Sequence, residues 1–213
     1  MEKKNNKNAL VLVGDVTKEP TQIYASNYYE FELSIKRHSG VFDVIRVMYN
    51  SELISPETVN SIKIGQKACV TGRVIVYYDK RRSMVRAMAD QIIVGEIEDY
   101  APEYLNEVYF EGFVSQDPIC RTTPKGRQVA DIVVSTMYNE HVSYVPCIVW
   151  GAGTKIAKKS KHHDFATVNG RFQSREYNKE LEDGTIEVRT AYEISAFDLD
   201  IVDIHPSVFN QLR

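Results

Sequence analysis

The chain is 213 residues long, 43% hydrophobic and 26% charged, with a formal net charge of −3. That length admits one or two domains, and no apolar run approaches the ~18 residues that a membrane-spanning helix needs. The slight acidity rules out polyanion binding through bulk charge, so an anionic partner would have to be held by a local basic strip.

Met1–Lys7 is polar, and the first apolar run, Val11–Val13, is broken at once by Gly14-Asp15. With no signal-peptide pattern there, a cytoplasmic location is expected. Runs rich in β-branched and aromatic residues then predict strands over 9–13, 29–35, 42–49, 67–78 and 84–94. Ser55 followed by Pro56-Glu57 starts a short helix, 55–62, with serine as the N-cap and proline at the first helical position. The acidic, proline-containing stretch Glu96–Asn106 reads as a junction, with 1–99 as one domain, 100–106 as linker and 107–213 as a second domain. Strands follow over 107–114, 129–137, 144–150, 165–177 and 187–201, with a helix-like piece at 154–159 and a hairpin turn at Asp183-Gly184.

The second set repeats the first. Gly14 is followed by Pro20 and Gly112 by Pro118; Gly72-Arg73 is echoed by Gly170-Arg171; both glycine pairs lie 98 residues apart. A period of that length is a whole small domain, not a solenoid unit of about 20–50 residues. Phe31–Ser34 aligns with Ile132–Ser135 if the preceding loop is three residues longer in the second copy. Three strands, a short helix and two strands, repeated, predict an all-β protein of two tandem oligonucleotide/oligosaccharide-binding (OB) barrels.

Cys69, Cys120 and Cys147 are odd in number and unshared between the repeats, so neither a disulfide framework nor a zinc site is expected. His38, His141, His162, His163 and His205 are scattered, and Gly151–Lys155 carries only part of a phosphate-loop pattern. No enzymatic activity and no cofactor are expected.

The segments Val108–Pro118, Val129–Thr136, Cys147–Gly151 and Val168–Tyr177 follow in order, and then Asp183-Gly184. On these segments the second copy resembles the bacterial single-stranded DNA-binding protein family. The first copy shows the same order more weakly, with Val47–Asn50 standing where Ile148–Gly151 stands. The resemblance implies sequence-independent binding of single-stranded DNA in replication, recombination or repair, a nucleoid-associated location, and a homodimer presenting four OB folds. The acidic recruiting tail of typical members is missing from the sequence, so replication and repair proteins are expected partners only by another route.

Binding a single strand without sequence preference takes flat rings for the bases and cations for the phosphates. Tyr144 and Trp150 are six apart on one strand and so share a face. The resemblance places base-stacking rings there and at Tyr177. The first copy offers Tyr49 at the aligned place and one of Tyr77 and Tyr78, while Tyr28 and Tyr29 read as core. The cation candidates are Lys36-Arg37, Arg73 and Lys80-Arg81-Arg82 in the first copy, and Arg121, Lys125, Arg127, Arg171 and Arg175 in the second. Lys155, Lys158, Lys159 and Lys161 read as a solvated helix face. Two other readings stay open: an OB adaptor that binds a protein, and a single-stranded RNA binder.

Overall fold

The computed structural model describes residues 5–79, 82–95, 97, 102–123, 125–181 and 183–203. The first barrel contains β1 (Asn8–Gln22), β2 (Tyr28–Lys36), β3 (Phe42–Asn50), α1 (Pro56–Ser61), β4 (Lys67–Asp79) and β5 (Arg82–Val94). The second contains β6 (Leu105–Val114), β7 (Ile119–Thr122), β8 (Gln128–Tyr138), β9 (His141–Trp150), α2 (Gly153–Ala157), β10 (Phe165–Glu180) and β11 (Ile186–Val202). Ser55 caps α1 as its position suggests, its Oγ accepting the Thr58 N–H at 3.2 Å.

Both rings close in the same way. β1 pairs antiparallel with β2 and β4, β2 with β3, and β4 with β5, while β3 meets β5 in parallel. In the second ring β6 takes the place of β1, β8 and β9 those of β2 and β3, and β10 and β11 those of β4 and β5. Closure satisfies the strand edges inside each ring. The alternating inward residues fill the interiors: Leu12, Phe31, Leu33, Ile45 and Val74 in the first, Phe110, Ile132, Val134, Val145 and Phe172 in the second. Each such side chain contributes about 1.5–3 kcal/mol through burial.

A bend lets the first strand serve two neighbours. Residues 10–15 of β1 pair with β4, and residues from Asp15 onward pair with β2. Gly14 and Gly112 lie at this bend, where a Cβ would collide with the carbonyl of Ser34 or of Ser135. Gly72 and Gly170 lie opposite bulges in β5 and β11, where a Cβ would collide with the carbonyl of Met88 or of Ser195. The repeated glycines therefore mark close backbone crossings. The sequence reading stopped the first strand at residue 13, but β1 runs on to Gln22. Its outer half carries polar, mostly exposed residues with no apolar alternation to announce it.

The barrels join strand to strand. β1 and β6 pair antiparallel from Asn8↔Phe110 to Val13↔Leu105. The pair Leu10↔Val108 joins two residues that are themselves 98 apart, so a local two-fold axis passes between them. The hydrogen bonds around it are duplicated. Asn8 bridges Val74, donating to its carbonyl at 2.8 Å and accepting its N–H at 2.9 Å. Asn106 does the same to Phe172 at 2.7 Å in both directions. Ser143 Oγ accepts the Val76 N–H, and at the equivalent place Asp43 Oδ1 accepts the Ser174 N–H, both at 2.9 Å.

The glycine argument gives a direct test. Gly112→Ala is expected to lower stability by about 1–3 kcal/mol, the usual range for forcing volume into a packed site. Urea denaturation followed by circular dichroism measures it, and an unchanged midpoint would show that the crossing tolerates a methyl group.

Candidate functional site

The outward faces of β8, β9, β10 and β11, with α2 at one end, enclose an open groove of about 1550 Å³ on the second barrel. Strand alternation sets its lining. Arg171, Gln173 and Arg175 are successive outward residues of β10, and Glu193, Ser195 and Phe197 come from β11. Ile148 and Trp150 line it from β9, Gln128 from β8, Arg121 from β7, and Thr154 and Lys155 from α2. Arg127 leans in from the β7–β8 turn, and the first barrel contributes Arg37.

Six cations thus face one lining carboxylate, but their charges are not equally free. Arg121 makes a two-point ion pair with Asp131 at 2.6 and 3.0 Å. Arg175 donates to Glu193 at 3.2 Å, and Gln173 Nε2 donates to the same oxygen at 3.0 Å. Arg171 donates to Gln173 Oε1 at 3.1 Å. Arg37 is held by Asp43, whose carboxylate is fully buried. Arg127, Lys155 and Arg171 have no ion pair among the described residues. Burial, and then the nearby Arg37 charge, lowers the pKa of Arg171.

Trp150 stands at the groove edge, 36% exposed, and Tyr144 is on the same face of β9 at 46%. Tyr144 lies outside the groove lining, as does Tyr177, which sits on the β10–β11 arm with the Arg175 guanidinium 5.9 Å from its ring centre. Lys125 is exposed in the β7–β8 turn, also outside the groove. Lys155, read from sequence as a solvated helix residue, lines the groove because α2 packs across its end.

The first barrel has a smaller groove of about 580 Å³ of different character. Tyr24, Tyr28, Tyr77, Tyr78 and Tyr138 line it with Met48 and Met88. Its arginine, Arg73, is ion-paired to Asp90 and lies 3.9 Å from the Tyr138 ring centre. Tyr78 is 66% exposed and Tyr77 half-buried. Tyr28 reaches this groove, contrary to the core reading, while Tyr29 stacks on Tyr49 with ring centres 5.7 Å apart. Lys36 and Arg82 are exposed at strand ends. Lys80 and Arg81 fall outside the described residues.

Tyr49 requires a correction. Its side chain is fully buried, and burial pushes its pKa up to about 12. The cause is a slip of one residue. Tyr28 pairs with Asn50 and its counterpart Val129 pairs with Trp150, so Asn50 is the true equivalent of Trp150. The β8–β9 hairpin is one residue shorter than β2–β3, which sequence alignment without a gap could not register.

Two closed five-stranded rings, each with a helix between its third and fourth strands, make this a tandem OB-fold protein. Residues 105–202, the second barrel, match the model of the single-strand binding protein family. The fold as a whole is similar to the wild-type single-stranded DNA-binding protein from Thermus aquaticus, with a TM-score of 0.70 at 21% identity over 95% of this chain and 96% of that one. A deletion mutant of the same Thermus aquaticus protein superposes with a TM-score of 0.69 at 22% identity, covering 95% and 98%. Both barrels therefore have counterparts in that structure. No curated protein sequence matches the chain.

The placement of Tyr49 predicts its behaviour. Its hydroxyl has no hydrogen-bond partner among the described residues, and an unsatisfied buried hydroxyl costs about 1–3 kcal/mol. Tyr49→Phe is expected to keep or raise the urea midpoint and to leave any ligand affinity unchanged. A loss of affinity with the fold intact would return Tyr49 to the binding surface.

Proposed function

We propose that this protein binds single-stranded DNA without sequence preference, with the groove of the second barrel as its main site, and that it coats and protects exposed strands in replication, recombination or repair. The observation that carries this reading is the pairing of Trp150 with the unneutralised Arg127, Lys155 and Arg171 in one open groove, on the barrel that matches the single-strand binding family model. Every base has a flat face, so stacking on Trp150 tolerates any sequence. The cations meet the phosphates, which are the same at every position. The groove is open along its length, so it suits a continuous strand better than a small molecule. Its residues bind and orient, and no bond is made or broken.

The first-barrel groove, with its tyrosines and methionines, supplies further stacking surface close to the junction. The homodimer of four barrels implied by the sequence resemblance is part of this proposal, and so is a cytoplasmic, nucleoid-associated location. Light scattering at twice the mass of one chain would support the dimer, and a monomer at micromolar concentration would overturn it.

The test of binding is optical. Trp150 is the only tryptophan, so its emission reports on the groove alone. Addition of poly-dT is expected to quench it, and log K is expected to fall with log salt by roughly 0.7 per phosphate contact. Trp150→Ala is expected to weaken binding by about 1–3 kcal/mol. Without quenching or a gel shift at low salt, the reading fails and a protein-binding adaptor takes its place.

A further inference from the structure

The two arginines that follow the repeated glycines, Arg73 and Arg171, occupy equivalent places but have opposite surroundings. In the first barrel the β4–β5 register skips one residue, Asp90, between Thr71↔Gln91 and Gly72↔Ala89. In the second the β10–β11 register skips one residue, Phe197, between Asn169↔Asp198 and Gly170↔Ala196. The bulge thus delivers a carboxylate to Arg73 and closes it with an ion pair. The same bulge delivers a ring to Arg171, 5.5 Å from the guanidinium, and no carboxylate. The opposite barrel completes the contrast. Tyr138 covers Arg73, whereas its counterpart beside Arg171 is Arg37.

Arg171 Nε is buried and has no hydrogen-bond partner among the described residues. Arg37 is oriented beside it by Asp43 and also reaches the Ser174 carbonyl at 3.4 Å. Asp43 pairs with Arg37 and leaves Arg171 without a carboxylate, Phe197 walls one side, and the exposed Glu107 lines the adjoining hollow. Two depressions meet at this point. The groove of the second barrel ends on Arg37, Arg171 and Phe197, and a hollow of about 500 Å³ begins on the same three residues and continues to Lys36, His38 and Tyr104.

We propose that Arg171 and Arg37 form one phosphate seat shared by both barrels, through which a single strand passes from the second barrel's groove to the β2–β3 turn of the first. The proposal rests on the single-strand reading given above. It deepens that reading by assigning both barrels to one continuous strand rather than to two separate ones. A phosphodiester oxygen fits the seat, since it supplies the anionic acceptor that Arg171 lacks, and Arg73, already neutralised by Asp90, cannot serve as a second one.

Salt-dependent titration of the full chain tests this, with Trp150 emission as readout and oligo-dT of about 8 and about 30 nucleotides as ligands. Arg171→Gln is expected to reduce the salt slope by about 0.7 with both lengths, and Arg171→Lys to restore it. Arg37→Gln, made together with Asp43→Asn so that no buried carboxylate is left unpaired, is expected to reduce the slope with both lengths, whereas Lys36→Gln, in the hollow alone, is expected to reduce it for the long strand only. If the wild-type protein binds and Arg171→Gln keeps its slope and affinity, the seat is overturned while the single-strand function stands. An equal effect of Lys36→Gln on both lengths, or no effect on either, overturns the crossing. Inorganic tripolyphosphate gives a separate arm: if it raises the melting temperature of the wild type but not of Arg171→Gln, while the DNA slopes are unaffected, the seat takes a free anion and the strand path is overturned. Failure of the wild type to bind either oligonucleotide removes the function and the path together.

Discussion

The antiparallel pairing of β1 with β6 is the constraint on which the rest of the molecule depends. A closed barrel has no strand edge to spare, yet each first strand here serves both its own barrel and the other. The bend at Gly14 and Gly112 makes this possible, because it separates the segment that faces the fourth strand from the segment that faces the second. Once the strands pair about Leu10 and Val108, the remaining cross-barrel contacts are fixed in register. The third strand of each barrel then meets the fourth strand of the other, which brings Asp43 to Ser174 and Ser143 to Val76. Arg37, on the turn beside Asp43 and held by it, is carried into the groove of the second barrel by this arrangement.

The two grooves show how one framework carries two kinds of lining. Stacking depends little on salt, whereas phosphate contacts release counterions and weaken as salt rises. The first groove concentrates tyrosines and has its arginine neutralised. The second has one tryptophan at its edge and several free cations. The acidic excess of the whole chain is no obstacle, because the acids that approach the second groove are each assigned: Asp131 to Arg121, Glu193 to Arg175 and Asp43 to Arg37. What remains along the groove floor is positive.

Much of this was legible in the sequence for a physical reason. Glycine at a backbone crossing admits no substitute, so Gly14, Gly72, Gly112 and Gly170 kept their spacing in both copies and exposed the duplication. The strand order followed, and with it the fold and the shared face of Tyr144 and Trp150. The failures came where recognition depends on register or on the other barrel. A hairpin one residue shorter moved Tyr49 from the surface into the core. Lys155 and Tyr28 look like ordinary surface and core residues until the fold shows which groove each one borders. Arg37 belongs by sequence to the first domain and by position to the groove of the second.

Joining both barrels in one chain has a consequence that two identical subunits would lack. In a symmetric pair each substitution appears on both sides of the axis, so an arginine closed by aspartate would be closed twice. Here the same backbone bulge carries Asp90 in one copy and Phe197 in the other, and the positions facing the two arginines hold Tyr138 and Arg37. The framework hydrogen bonds from Asn8 and Asn106 are the same on both sides of the joint. The side chains above them differ, because only the framework must obey the two-fold axis. A single chain can thus keep the geometry of a symmetric pair while leaving an arginine without an ion pair on one side of it only.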